Sequence, residues 1–274
     1  MRQVDGQAAA VIATYLDLAD QHADGLIEAL YLEGSLALGD FQAGTSDIDF
    51  IAVTTDQPDS AALDALHHVH EELATRHHRP FFDGIYLTWP QVAAGPTSVH
   101  NPPASHEGRF ISTSSPEKAN PVTWHTLAQH AITCRGPSPS QLDIWTDSTE
   151  LAAWQNTNLD EYWLRNLTRA RRLLNPSSLA LLTDYGTVWT VTGIARLHYT
   201  IATEKIASKT QAAQYALNTF PQQWHPVIRE ALRVRTREHS KPLYTNRLRR
   251  RRDILSFGHM AITDAHRIYT EHQP

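Results

Sequence analysis

Along the first ninety residues the spacing of apolar positions changes period several times. Over residues 6 to 29 they fall at Ala9, Val11, Ile12, Tyr15, Leu16, Leu18 and Ala19, then at Leu26 and Ile27, with Leu30 following. That is helical spacing and predicts one helix with a short continuation. "ALYLEGS" (29–35) predicts a brief strand ending at a glycine turn, and "SDIDFIAVTTD" (46–56) a second strand. "SAALDALHHVHEELATRHH" (60–78) returns to helical spacing, with Ser60 as the expected N-cap. "PFFDGIYLTWP" (80–90) predicts a third strand, closed by Pro90. Residues 95–121 are rich in Pro, Ser and Asn and predict an ordered loop or linker. Beyond Pro121 the spacing is helical almost throughout, over 123–132, 147–175, 178–204, 208–218, 222–237 and 246–271.

The expected fold class is therefore α+β. A small mixed sheet with flanking helices occupies residues 1–120 and an all-α bundle residues 121–274, with the change of pattern spread over 115–145. Composition adds little to this picture. The 274 residues are 41% hydrophobic and 19% charged, which suits a globular chain and argues against disorder. The net charge of −5 makes the chain as a whole no polyanion binder. With Cys134 as its one cysteine it forms no internal disulfide, and a reducing cytoplasm fits best. The N-terminal stretch lacks the apolar run of a signal peptide, and no run reaches the roughly 18 residues of a membrane span. The 16 histidines are scattered without the Cys/His spacing of a zinc site and read as surface and core residues.

Candidate chemistry concentrates in "YLEGSLALGDFQAGTSDIDFIAV" (31–53). Asp47 and Asp49 are two apart, so on a strand both point to one face. Aspartate is disfavoured in strands, and two carboxylates on one face repel unless a cation lies between them. Two carboxylates aimed at one point suit Mg²⁺, which takes one or two of them together with phosphate oxygens. Ile48, Phe50 and Ile51 are expected to bury the opposite face. Gly34 and Ser35 end the preceding strand, where backbone N–H groups and a hydroxyl hold a phosphate. Asp83, in "FFDGIYL", adds a carboxylate from the third strand.

"GSLALGDFQAGTSDIDFIAV" (34–53) resembles the signature of the polymerase-β-like nucleotidyltransferase superfamily. "GIARLHYTIATEKIASKTQAAQYALNTFPQQWHPVIREAL" (193–232) is similar to the helical C-terminal domain of the aminoglycoside 3''-adenylyltransferases. This resemblance implies transfer of AMP from Mg-ATP to a hydroxyl of an aminocyclitol, with the helical domain completing the ATP and acceptor site. Gly34 and Ser35 would hold triphosphate oxygens, Asp47 and Asp49 the metals, and Arg196 and Lys209 the phosphates. A triphosphate brings about four negative charges that carboxylates alone do not offset.

The chain departs from the family pattern in three places. Asp83 stands where the family has a glutamate acting as general base, and is a third metal ligand or a base with a different reach. Glu107, in "HEGRF", is then a candidate for the acceptor-facing acid. Arg235 stands where the family packs an aromatic near adenine, and a guanidinium stacks on a base as well. Gly186 stands where the family has an acid of the acceptor pocket. Cationic acceptors call for acids and aromatic faces, and Asp184, Tyr185 and Trp189 are available, whereas Trp89, Trp124 and Trp163 read as core.

"RLRRRRD" (247–253) invites a nucleic-acid reading. Five arginines in six helical positions, however, spread around the circumference as solvated faces with acidic partners. The expected partners are thus ATP and a small cationic molecule, the expected state a monomer. A nucleotidyltransferase acting on tRNA or protein and a non-catalytic ATP-binding regulator are the alternatives.

Overall fold

The computed structural model describes residues 5–115, 118–172 and 175–272. The chain divides into two compact units, Met1–Asp147 and Ser148–Pro274.

In the first unit, Asp5 caps α1 (Gly6–His22) by accepting from the N–H groups of Gln7 and Ala8. The helix stops at His22, so Leu26 and Ile27 cross a turn instead of continuing it, and β1 (Ala29–Leu32) follows. A single turn, α2 (Gly34–Ala37), then leads towards β2 (Ile48–Thr54). The cap of α3 (Ser60–Arg76) is Asp59 and not Ser60, because the Asp59 carboxylate accepts from the Ala62 N–H. β3 (Phe82–Thr88) runs directly into α4 (Trp89–Ala94), where Pro90 sits in the first turn. The region expected to be a loop contains a hairpin, β4 (Ala104–His106) and β5 (Arg109–Ile111). Next come α5 (Pro121–His130) and an unexpected strand, β6 (Ile132–Arg135).

The six strands form one mixed sheet in the order β5-β4-β3-β2-β1-β6. Only β2 and β3 are parallel, with α3 between them in the chain; the other neighbours are antiparallel. Because β6 pairs with β1, the first unit reaches Asp147 and takes in α5, past the expected boundary at 120. Arg135 on β6 grips Asp20 on α1 through two hydrogen bonds of 2.6 Å.

Apolar layers cover both faces of the sheet. Phe50, Phe82 and Tyr86 pack with Val11, Tyr15, Leu66 and Leu73 of α1 and α3. Tyr31, Ile51, Val53, Ile85 and Leu87 pack with Val92, Trp124 and Leu127. Ile51 therefore lies on the face of Asp49, as strand alternation requires, and only Ile48 and Phe50 of the expected trio lie on the opposite one.

In the second unit, α6 (Ser148–Asn158) passes through a π-helical turn (Leu159–Leu164) into α7 (Arg165–Ala170). The helix expected over 147–175 thus changes pitch midway; its residues 173 and 174 lie outside the described residues. α8 (Pro176–Ala180) and α9 (Asp184–Thr203) divide what reads as one helix over 178–204. The break is a cap: the Thr183 hydroxyl accepts from the Gly186 N–H and restarts the helix. α10 (Lys209–Thr219), α11 (His225–Arg235) and α12 (Arg247–Glu271) complete the unit. α9 is central, packed by α6, α10, α11 and α12 around Val191, Ile194, Ala195, Ile254 and Phe257. The mixed α+β fold class is as expected. Among the described residues no helix is long and apolar enough to cross a membrane.

The arginine run is solvent-facing only in part: Arg247, Arg249 and Arg252 are exposed, as expected, but two members are not. Arg250 and Arg251 are buried. Arg250 donates to Asp184 at 2.7 Å and to the Leu182 carbonyl at 2.9 Å, and faces the fully buried Glu230 at 3.6 Å. Arg251 donates to the Ser178 hydroxyl at 2.7 Å and to the Ala170 and Arg171 carbonyls. These contacts tie α12 to the α7–α9 segment, and they remove two of the charges a polyanion would need.

Candidate active site

Parallel pairing of β2 with β3 sets Asp49 directly beside Asp83, on strands that run about 4.8 Å apart. Both sit on the face that carries Ile51 and Ile85. Asp47, just before β2, meets Arg79 at 3.1 Å, an exposed pair of modest worth. Burial raises the Asp47 carboxyl above its ordinary value and repulsion from Asp83 adds to this, while Arg79 pulls the other way. The three aspartates therefore share one electrostatic environment. Among the described residues they do not close into a set of three with ligand atoms all within 4.8 Å.

Asp83 is clamped. One oxygen accepts from the Glu107 N–H at 2.9 Å, with His106 Nδ1 at 3.4 Å, and the other from the Gly108 N–H at 3.3 Å. The clamp follows from the hairpin: Glu107 and Gly108 form a two-residue turn with φ of 51° and 72°, both positive. Glu107 thus engages Asp83 through its backbone. The residue is exposed and borders a pocket of about 290 Å³ with Val11, Leu73, His77 and Phe82, on the α1/α3 side of the sheet. The contact that brings Glu107 to the aspartates is made by its N–H and not by its carboxylate.

Gly34 sits against Asp49. Its φ is +58°, and a Cβ there would lie 1.9 Å from an Asp49 carboxylate oxygen. A glycine is needed both for the left-handed backbone and for the close approach. The adjacent Ser35 Oγ is enclosed and has no hydrogen-bond partner, an uncommon state for a buried hydroxyl and one that a ligand oxygen would relieve.

Sequence reasoning missed Glu33 and Lys118. Glu33 is half-buried as a residue, but its carboxyl is enclosed; burial pushes it well above the usual range, Asp49 pushes it further, and Lys118 opposes both. The signal for Glu33 was its place beside Gly34, with the odd parity of Tyr31, which puts it on the Asp49 face. Lys118, beyond the hairpin, gave no local signal. The face therefore holds more negative charge than it neutralises, and its donors are hard oxygens. That set fits a magnesium ion.

The second unit gathers most of the remaining candidates. Arg196 on α9 donates through Nε to the Ala207 carbonyl at 3.1 Å, in the segment that leads into α10. Lys209 opens α10, and its Nζ lies 5.1 Å from the ring centre of Trp189. Tyr185 stacks on Trp189 with ring centres 5.9 Å apart, and both are exposed. They line a pocket of about 260 Å³ with Tyr162, Trp163, Leu181 and Thr190. Asp184 is half of the ion pair with Arg250, yet its side chain remains 62% exposed. Arg235 lies half-buried in the last turn of α11. Trp124 and Trp163 are core, as expected, while Trp89 is half-buried and donates its indole N–H to Glu28.

Comparison with known proteins bears on this second unit first. Residues 165–254 match the aminoglycoside adenylyltransferase C-terminal domain family. The matched segment runs from α7 into α12 and includes Asp184, Tyr185, Trp189, Arg196, Lys209 and Arg235. Among solved structures, the fold is similar to that of spectinomycin adenyltransferase AAD(9) from Enterococcus faecialis, solved with ATP and spectinomycin. The TM-score is 0.63 over 92% of this chain and 98% of that one, at 12% identity, a likeness of fold. No curated protein matches the chain. The chain thus resembles the aminoglycoside adenylyltransferases in sequence over much of its second unit and in fold over nearly all its length.

Proposed function

We propose that this protein transfers AMP from Mg-ATP to a hydroxyl of a small, cationic aminocyclitol or aminoglycoside and releases pyrophosphate. The observation that carries the reading is the meeting of the Gly34–Ser35 turn with the Asp49–Asp83 pair, where an unpartnered hydroxyl adjoins surplus carboxylate charge. The matched family and the ATP in the AAD(9) structure support ATP as the donor.

Asp47 and Asp49 are the residues that would hold magnesium; bound there, it supplies charge neutralisation on the phosphates. Ser35 and the N–H groups of the turn take phosphate oxygens. Asp83, oriented by the two turn N–H groups, is suited to receive the proton of the acceptor hydroxyl, as a base fixed by a third group. The hydroxyl oxygen then bonds to the α-phosphorus as the bond to the bridging oxygen breaks. Arg196 and Lys209 would take the leaving pyrophosphate. The stacked Tyr185 and Trp189 offer the aromatic face that a cationic polyol requires, with Asp184 adding charge at its edge.

The test is pyrophosphate release from Mg-ATP with spectinomycin, streptomycin, bulk tRNA or no acceptor. Stimulation by an aminocyclitol alone is the expected result. Stimulation by tRNA alone, or ATP binding with no release under any condition, would replace the proposal with one of the alternatives.

A further inference from the structure

On the face of the sheet opposite Asp49 and Asp83, the packing of α1 on α3 creates a cluster no spacing rule discloses. His22 is the last residue of α1; His68 and Glu72 are one turn apart on α3. Their ligand atoms all lie within 4.8 Å of one another, the one such group of three among the described residues. Glu72 Oε2 is shared, 3.3 Å from His22 Nε2 and 3.7 Å from His68 Nε2. The other oxygen, Oε1, accepts from Arg76. His22 Nε2 is enclosed and makes no hydrogen bond despite its neighbour at 3.3 Å. The two imidazoles meet edge to face at 4.6 Å, so nitrogens and oxygen converge without bonding one another.

Two imidazoles and one carboxylate are a donor set for first-row transition metals and not for magnesium, which prefers oxygen alone. The division of Glu72 between Arg76 and the histidines is the arrangement by which an outer partner orients a ligand. A neighbouring pair supplies an internal control. His67 and Glu71 repeat the same one-turn spacing at 3.3 Å, with His67 as exposed as His68, but among the described residues they belong to no group of three donors.

We propose that His22, His68 and Glu72 bind a divalent transition metal of the zinc class, which fastens the C-terminal end of α1 to α3. The site is independent of the adenylyl-transfer reading. Each ligand is contributed in its deprotonated form, with water filling the remaining positions.

The experiment uses the full chain stripped with EDTA. Zn²⁺ is titrated by calorimetry, and Co²⁺ is added as a spectroscopic probe. One tight equivalent of Zn²⁺ is expected, with visible Co²⁺ bands and a raised melting temperature. Millimolar Mg²⁺ should not displace it. His68→Ala, at a half-exposed position, should weaken Zn²⁺ at least tenfold while melting normally in EDTA, and His22→Ala should do the same. His67→Ala and Asp49→Asn should leave the affinity unchanged. Equal losses in His67→Ala and His68→Ala would mean adventitious binding to a histidine-rich surface and overturn the proposal. So would loss in Asp49→Asn, or no bound equivalent at all.

Discussion

Replacing Gly34 with alanine would separate the geometry of the acid pair from the general strain of its turn. A Cβ at this position lies 1.9 Å from an Asp49 carboxylate oxygen, and an ordinary contact begins at 3.4 Å. The carboxylate must therefore retreat by about 1.5 Å, the difference between those two distances. Misplacing a catalytic group by 1 Å costs roughly 100-fold in rate, so turnover should fall at least that far. The backbone adds its own cost. Alanine at a φ of +58° is destabilised by roughly 1–2 kcal/mol, which lowers the melting temperature by roughly 2–8 °C in a chain of this size. Gly39 isolates that second effect, because its φ is +68° and nothing lies within 4 Å of the place a methyl group would take. Gly39→Ala should lose similar stability and keep its turnover to within a few-fold. Initial rates of pyrophosphate release and thermal melts on both variants make the comparison. Equal rate losses in the two, or a Gly34→Ala enzyme of nearly normal rate, would refute the idea that this glycine exists to admit Asp49.

Asp49→Asn should abolish turnover without lowering the melting temperature, since it relieves repulsion with Glu33; Asp83→Asn should lose turnover but keep Mg-dependent ATP affinity, measured by equilibrium binding. Glu33 has a raised folded-state value, so its neutral form favours folding below about pH 4.5, and that contribution is lost as pH rises through the folded value. Glu33→Gln should therefore melt above wild type at pH 8, with the gap closing towards pH 4.5; a gap independent of pH would refute the assignment. Arg250→Ala should cost about 2 kcal/mol by urea unfolding, because it removes a buried guanidinium that donates to Asp184 and to the Leu182 carbonyl, while Glu230 keeps its two-bond pair with Arg233. Arg252→Ala, 71% exposed at the side chain, should stay within about 0.5 kcal/mol.

Much of the candidate site was legible because its signals are local. A glycine turn after a short strand, and aspartates at period two among β-branched and aromatic residues, follow from backbone rules that act over a few positions. The helices of the second unit were legible for the same reason, down to the 25-residue α12. Boundaries were less so. Asp59 displaced Ser60 as a cap, and Thr183 cut one apolar period into two helices, because a single side-chain hydrogen bond decides each and both neighbours could have made it. β6 escaped notice because four half-buried residues carry no alternation; the strand exists through pairing with β1, a hundred residues away.

The chain by itself determined the fold class, the glycine turn and the strand placement of Asp49 and Asp83, whereas Arg196 and Lys209 stood out through a family resemblance alone. Tertiary structure decided which side chains meet. Strand register set Asp49 beside Asp83, a hairpin turn aimed the Glu107 and Gly108 N–H groups at Asp83, and helix packing buried two arginines of a run that reads as solvent-facing. His22 came to His68 and Glu72 in the same way. Period and capping are properties of neighbouring residues, whereas register and contact depend on how apolar faces from distant segments bury one another, which no local window contains.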